Sequence, residues 1–332
     1  MKKFIPALLL LLLTVGCTRI VKLNDTAQYT VDRYVPQYAS GFRLKSRPAD
    51  TASVMLEVYR PDTMRIIIPR GGFRSILCLS STYVGALAEL GESGRISAVS
   101  AKEFITDPKV RAHAVDVGYD GAMNYEAMLA AKPDIALIYG IGGPSPIAHK
   151  LDELDVPYVY INDFEEQDPL GRAEWSVALG ALAGRDDAAA RFSRIAEAYR
   201  PVAGSVPVMI NAPYSGAWFI PGSDNYMIRL LHDAGARLTA PAHNGVDSKP
   251  IDIEEALPAL KNADIWLFPG QAASIAQLGQ MVPKARFDGP VWNQTPDFYE
   301  SGASRPDLVL KELQAIVKGE SPDSTRYFIR LK

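Results

Sequence analysis

Cysteine is nearly absent from this 332-residue chain, which has two, Cys17 and Cys78. Histidine is almost as scarce, with His113, His149, His232 and His243 as the full set. None of these falls into a His-x-x-x-His or Cys/His spacing, so a dedicated metal site built by the protein is not expected. A basic excess is also missing. Lys and Arg number 35 against 38 Asp and Glu, a formal charge of −3, which leaves nothing to neutralise a phosphate backbone and excludes a nucleic-acid role. No apolar run reaches the roughly 20 residues that a helix needs to cross a bilayer. The glycine-rich stretch Gly140-Ile141-Gly142-Gly143 has no Lys-Ser/Thr after it and runs into Pro144, which excludes a nucleotide phosphate loop.

What is there begins at the N-terminus. Lys2 and Lys3 precede an apolar run from Ala7 to Leu13, and Thr14-Val15-Gly16 leads into Cys17. A charged start, a short apolar core and small residues before a cut mark a secretory signal, here residues 1–16. A cysteine directly after the small residues resembles the bacterial lipobox, with Thr14 where that pattern usually has Leu. The resemblance implies that Cys17 is lipidated and becomes the new N-terminus. Removing Lys2 and Lys3 moves the formal charge from −3 to about −5. With Cys17 acylated no disulfide within the chain is possible, and Cys78, inside the run Ile76-Leu77-Cys78-Leu79, reads as a buried strand residue.

The remaining length exceeds what one core usually serves, so two domains are expected. Residues 17–70 read as a lipidated tether followed by a β extension: residues 53–59 favour strand, and Arg60-Pro61-Asp62 signals a turn. From residue 75 short apolar runs alternate with helical patterns, which predicts parallel sheets faced by helices. Strands are expected at residues 75–79, 96–99, 135–139 and 158–161, and helices from 84, 124 and 146, giving an N-terminal α/β lobe over residues 71–165. A second lobe over 205–332 carries strand patterns at 208–211, 218–220, 265–268 and 291–292, with helices at 226–234 and 306–318. The two echo each other. Asn124-Tyr125-Glu126 and Asp252-Ile253-Glu254 each open a helix with a capping residue and a carboxylate two positions later, and Glu255 completes a capping box with Asp252. Between the lobes, residues 166–204 form a helical linker that Gly184-Arg185-Asp186 breaks in two, with Asp186 capping the second helix. A helix of about 14 residues spans about 20 Å, enough for a stiff strut. The expected fold is therefore α/β, with two Rossmann-like lobes joined by a rigid inter-lobe helix and a small N-terminal β addition.

Residues 74–318 resemble the class III, helical-backbone substrate-binding proteins of ABC importers, the group that carries ferric siderophores, haem and vitamin B12. The resemblance rests on Ser75–Ser81 ahead of a helix ending Ala88-Glu89-Leu90-Gly91, on Arg95–Val99, and on the block Val117 to Glu126 continuing to Lys132-Pro133-Asp134. It sets the inter-lobe helix at residues 182–199. It implies a periplasmic protein, anchored by its lipid to the inner or outer membrane, that acts as a monomer and hands an iron complex to an ABC permease and its ATPase. The protein needs no cofactor of its own, since the ligand brings the iron, or cobalt in the corrinoid alternative. It also implies that one glutamate at the tip of each lobe docks on the permease, and the matching positions are Glu126 and Glu254. A carboxylate in the first turn of a helix is favoured by the helix dipole and remains exposed for a partner.

Ligands of parallel α/β lobes sit beyond the carboxyl ends of the strands. Aromatic faces with a polar edge suit a planar macrocycle or a catechol ring. The candidate ligand residues in those loops are Ser81, Tyr83, Tyr119, Tyr139, Tyr214, Trp218 and Tyr299. His243, in the loop Ala242-His243-Asn244-Gly245, is a candidate axial ligand for haem iron, and Arg305 is read as structural. The competing reading is an exported metal chelatase-like enzyme, which needs a histidine and a glutamate close in space as base and metal ligand. The histidines are scattered and the paired glutamates sit at helix starts, so the chain is expected not to be an enzyme.

Overall fold

The computed structural model describes residues 26–119 and 121–332; the signal segment, Cys17 and Asp120 lie outside the described residues. Four antiparallel strands come first: β1 (Val31–Tyr34), β2 (Phe42–Arg47), β3 (Asp50–Val58) and β4 (Met64–Ile68), paired in sequence order. The turn expected at residues 60–62 joins β3 to β4. Alternation sets the sheet on the body: along β2, Phe42, Leu44 and Ser46 are buried while Arg43, Lys45 and Arg47 are less so, the period-2 pattern of a half-covered strand.

The N-terminal lobe holds β5 (Ile76–Cys78), β6 (Ile96–Val99), β7 (Val115–Asp116), β8 (Ile135–Ile138) and β9 (Tyr158–Tyr160) in one sheet, ordered β7-β6-β5-β8-β9. Every pairing in it is parallel. Its helices are α1 (Ser81–Glu89), α2 (Pro108–His113), α3 (Tyr125–Ala130) and α4 (Pro146–Glu153). The linker is α5 (Pro169–Leu182) and α6 (Ala188–Ala198). The second lobe has β10 (Val206–Ile210), β11 (Trp218–Pro221), β12 (Ala236–Leu238), β13 (Ser248–Ile251), β14 (Ile265–Leu267), β15 (Val291–Gln294) and β16 (Phe328–Arg330), with α7 (Tyr226–Asp233), α8 (Ile253–Lys261), α9 (Ile275–Met281), α10 (Pro296–Glu300) and α11 (Pro306–Val317). Its main sheet runs β12-β10-β14-β15-β16 and is parallel except for the last pair. Trp218–Pro221, expected as a strand of that lobe, instead pairs antiparallel with Ser248–Ile251 in a separate ribbon.

Parallel strands are covered on both faces, which is why they read as unbroken apolar runs. The two faces sort cleanly. Ile76, Cys78, Ile135, Leu137 and Val159 enter a large core that also takes Val208, Ile210, Ile265 and Leu267 from the other lobe, Trp175 and Leu179 from α5, and Phe42 and Leu56 from the N-terminal sheet. Leu77, Ala136 and Ile138 point outward to a smaller cluster, and Met209, Trp266 and Val291 do the same in the second lobe. One interior thus runs through both lobes, the linker and the β extension.

Nearly every residue of α5 is buried, whereas α6 buries only Ala188 and Phe192. The buried strut is therefore α5, one helix earlier than the sequence match at 182–199 placed it. The break falls where expected: Gly184 takes φ +73°, Gly184 N–H donates to Ala181 O and Arg185 N–H to Gly180 O, a Schellman ending that glycine permits. Asp186 does not cap α6; Asp187 precedes it, and its carboxylate binds Arg185 and Arg191 instead. Two carboxylates beside and on α5 hold the chain entering β2. Glu174, fully buried, accepts from Tyr34 Oη at 2.6 Å and from the N–H groups of Gln37, Tyr38 and Ala39 at 2.7–2.8 Å. Glu166 accepts from the N–H groups of Ser40 and Gly41 and from the Trp175 indole. Burial pushes the Tyr34 phenol well above its ordinary value and Glu174 adds to the rise, so the phenol donates and the carboxylate accepts.

Candidate functional site

Each lobe has one place where strands leave β5 or β10 in opposite directions, and a crevice opens there at the carboxyl ends. In the first lobe this lies between β5 and β8, beside Ser80–Tyr83 and Tyr139. In the second it lies between β10 and β14, beside residues 211–217 and 268–270. Asn211 and Phe268, the residues that follow β10 and β14, hold φ +63° and +60°, a left-handed conformation that bulky side chains rarely adopt.

Between the lobes lies a cavity of about 150 Å³. Thr82 contributes from the first lobe, Pro169 and Arg172 from the start of α5, and Tyr226, Leu230, Gln294, Phe298 and Tyr299 from the second. Tyr299 is half-exposed and its hydroxyl donates to Gln294 Oε1 at 2.6 Å. Ser81 Oγ meets the Tyr299 carbonyl across the gap at 3.4 Å. Arg172 has a 9 % exposed side chain. Its Nη2 donates to Asp163 Oδ2 at 3.0 Å, and its guanidinium lies 4.1 Å from the centre of the Tyr226 ring. Burial works to lower the Arg172 pKa, and Tyr226 with Asp163 outweighs it, so the group stays cationic.

The lobes are also pinned beside the cavity. Glu300, on α10, accepts from the backbone N–H groups of Thr106 and, at 3.0 Å, Asp107 in the first lobe. Glu89 of α1 pairs with Arg305 at 3.2 Å and Arg326 at 2.8 Å. Arg305 thus has the structural role expected of it, bound to Glu89 and forked onto Asp307. Gly85 is required at the seam: a Cβ there would stand 2.0 Å from the Glu300 carbonyl oxygen.

Of the aromatic wall expected from sequence, two members are core residues. Tyr83 is 2 % exposed and donates to the Ile161 carbonyl at 2.5 Å. Trp218 is fully buried, donates to the Ile210 carbonyl at 2.8 Å and packs on Trp266. Both sit beside a strand end, and their rings turn inward because a buried N–H or O–H finds a strand carbonyl there. Ser81 and Tyr299 are brought together. Tyr139 is half-buried close to Tyr83. Tyr119 and Tyr214 are exposed on loops after β7 and β10, at the carboxyl edge but away from the cavity floor. Arg172 and Tyr226 were missed, whereas Thr82, Gln294 and Phe298 lie in the same segments as the expected Ser81 and Tyr299. The available signal for Arg172 was that it and Glu174 are the charged residues of an otherwise apolar helix, and a helix apolar all round is buried.

Glu126 and Glu254 are exposed in the first turns of α3 and α8. Asn124 caps α3, its side chain accepting from Ala127 N–H at 2.9 Å. Asp252 makes no side-chain cap, so the capping box with Glu255 is not formed; Glu255 N–H reaches the Asp252 carbonyl instead. Both helices feed parallel strands and therefore begin at the carboxyl edge of their lobes. Lys284 lies 3.7 Å from Glu254. Among the described residues no group of three or more His, Cys, Asp and Glu could hold a metal. His243 has its Nε2 2.8 Å from the Ile220 carbonyl.

Two parallel-sheet lobes joined by a buried helical strut, with a cavity between them, have the architecture of class III binding proteins. The chain belongs to the periplasmic binding protein family, which it matches over residues 76–296. An uncharacterized lipoprotein of Methanocaldococcus jannaschii is 23 % identical over 282 residues, 77 % of this chain and 68 % of that one. The fold is similar to that of a periplasmic haem-binding protein of Pseudomonas aeruginosa, with TM-score 0.59 and 21 % identity over 78 % of this chain and 98 % of that one. It is also similar to that of a periplasmic vitamin B12-binding protein of Vibrio cholerae, with TM-score 0.55 and 15 % identity over 76 % and 99 %.

Proposed function

We propose that this protein is the receptor of an ABC importer, tethered to the membrane through lipidated Cys17, that takes an iron complex, a ferric siderophore or haem, into the inter-lobe cleft. The observation that carries the reading is the cleft itself: Tyr226, Leu230, Phe298 and Tyr299 of the second lobe, with Pro169 of the linker, form an aromatic and apolar wall beside Thr82 of the first lobe. That composition suits a ligand with flat apolar faces. Family membership supports solute capture rather than turnover, and the haem-binding protein of like fold supports the ligand class. The lipoprotein relative supports the anchor. Glu126 and Glu254 then present one carboxylate per lobe to the permease.

The test is the absorption spectrum of the protein purified from its native host. A Soret band or a ferric-siderophore charge-transfer band is the expected outcome. A corrinoid spectrum would move the ligand to cobalt, in line with the B12-binding protein of like fold. A colourless protein that no iron chelate or corrinoid binds would refute the reading. For the anchor, Cys17→Ala is expected to release the protein from membranes, and continued incorporation of radioactive palmitate would refute lipidation at that residue.

A further inference from the structure

The family match begins at residue 76, so β1 to β4 stand outside it, and the sheet they form has one open edge. β4 pairs with β3 without a break in register and has no strand on its other side. Among the described residues no backbone hydrogen bond reaches Met64–Ile68 from any other element. An edge strand turns alternate N–H and C=O groups outward, and folds usually blunt such an edge with a bulge, a proline or a lysine, or keep it very short. The opposite edge follows that rule: β1 has four residues and a bulge between Asp32 and Tyr34. β4 reads Met-Arg-Ile-Ile-Ile and does not. Its one charge, Arg65, turns to Glu57 of β3 at 2.7 Å.

A groove of about 420 Å³ lies beside that edge. Met64, Ile66 and Ile67 line one side, and Phe73, Val156 and Tyr158 give the first lobe's side its apolar surface. Three carboxylates border it, Asp134, Asp152 and Asp155. None has a cationic partner among the described residues: Asp134 takes the Arg74 and Ser75 N–H groups, Asp152 takes the Tyr158 hydroxyl, and the neighbouring Lys150 is held by Glu153. Unpaired main-chain groups call for another extended chain, the apolar walls for apolar side chains on it, and the free carboxylates for lysine or arginine between them. A second copy of β4 would bring its own three aspartates to the rim, and like charges disfavour that pairing. Asp134 precedes β8 and Pro157 precedes β9, so the groove lies at the amino edge of the first lobe, away from the cleft and Glu126 at the carboxyl edge. We propose that β4 is a docking edge for an extended basic and apolar segment of a partner protein, which joins the N-terminal sheet as a fifth strand. The edge can be filled whatever the cleft holds.

Strand residues rise about 3.4 Å each, which makes the β4 edge about 17 Å long, so a heptapeptide spans it. The probe is a capped heptapeptide alternating Lys and Val, added in millimolar excess to the mature chain carrying Cys17→Ala. It should slow hydrogen exchange at the outward β4 amides by about tenfold or more and leave β1 unchanged. Asp152→Asn with Asp155→Asn should weaken binding by about 3- to 30-fold, the range for two exposed charge pairs. A heptapeptide alternating Glu and Val should bind at least about tenfold more weakly. The Lys-Val peptide with every backbone nitrogen methylated keeps its charge but cannot donate to the edge, and it should give no protection. Unchanged exchange at Met64–Ile68, or equal protection by the methylated peptide, overturns the proposal. So does protection that grows with protein concentration in the absence of peptide, which would give the edge to a second copy. None of these results touches the receptor reading, which the cleft carries.

Discussion

Removing the Glu174 carboxylate should loosen the N-terminal sheet from the strut. Glu174 is fully buried and satisfies four donors, the Tyr34 hydroxyl and the N–H groups of Gln37, Tyr38 and Ala39. Each donor left unmet costs about 1–3 kcal/mol, but the segment lies partly at the surface and can turn some of them to water. The comparable loss of one partner from a buried charged network is about 3–5 kcal/mol, a large share of the 5–15 kcal/mol that holds a typical fold. At about 2 °C per kcal/mol for a chain of this size, Glu174→Ala should melt roughly 6–10 °C lower. Hydrogen exchange gives the sharper reading. The amides of residues 37–39 should lose on the order of 100-fold protection, the equivalent of about 3 kcal/mol, while β5 and β8 change little. Unchanged protection at those three amides with an unchanged melting temperature would show that the carboxylate does not hold the segment, and the argument from buried satisfaction would fail.

Glu126→Ala combined with Glu254→Ala should leave ligand affinity within about twofold and abolish uptake in cells; a large drop in affinity would remove the docking role. Gly85→Ala forces a methyl to within 2.0 Å of the Glu300 carbonyl oxygen, so it should cost about 1–3 kcal/mol and speed exchange at the Thr106 and Asp107 amides. Wild-type melting and exchange in that variant would mean the seam yields freely. Burial pushes the Cys78 thiol far above its ordinary value, so it should resist a thiol reagent at pH 8 in the native protein and react fully once unfolded; native labelling would place it near solvent.

Much of the architecture was legible because parallel strands must be apolar on both faces. Ile96–Val99 lies where the pattern puts it, and the neighbouring strands differ by a residue at their ends. The ribbon partner Ser248–Ile251 was not legible, since Ser-Lys-Pro-Ile carries no alternation and includes a proline, which edge pairing tolerates. The site was less readable than the fold. An aromatic residue after a strand satisfies the same local pattern whether its ring lines a gap or fills a core, and only the carbonyls of Ile161 and Ile210 decide that Tyr83 and Trp218 turn inward. The strut was displaced by one helix for a similar reason. Residues 169–182 and 188–198 both have helical composition, and which of them is enclosed depends on the sheet built by residues 31–68.

On the proposed receptor reading, a continuous interior has a cost for the transport cycle. Halves that share side chains through one strut, with Glu300 and Glu89 spanning the seam, cannot report an arriving passenger by swinging shut. On that reading, loaded and empty forms would offer the membrane machinery nearly the same outline, so vacant copies would compete for the same berth. Discrimination falls to the few loops at the mouth, or to the passenger itself.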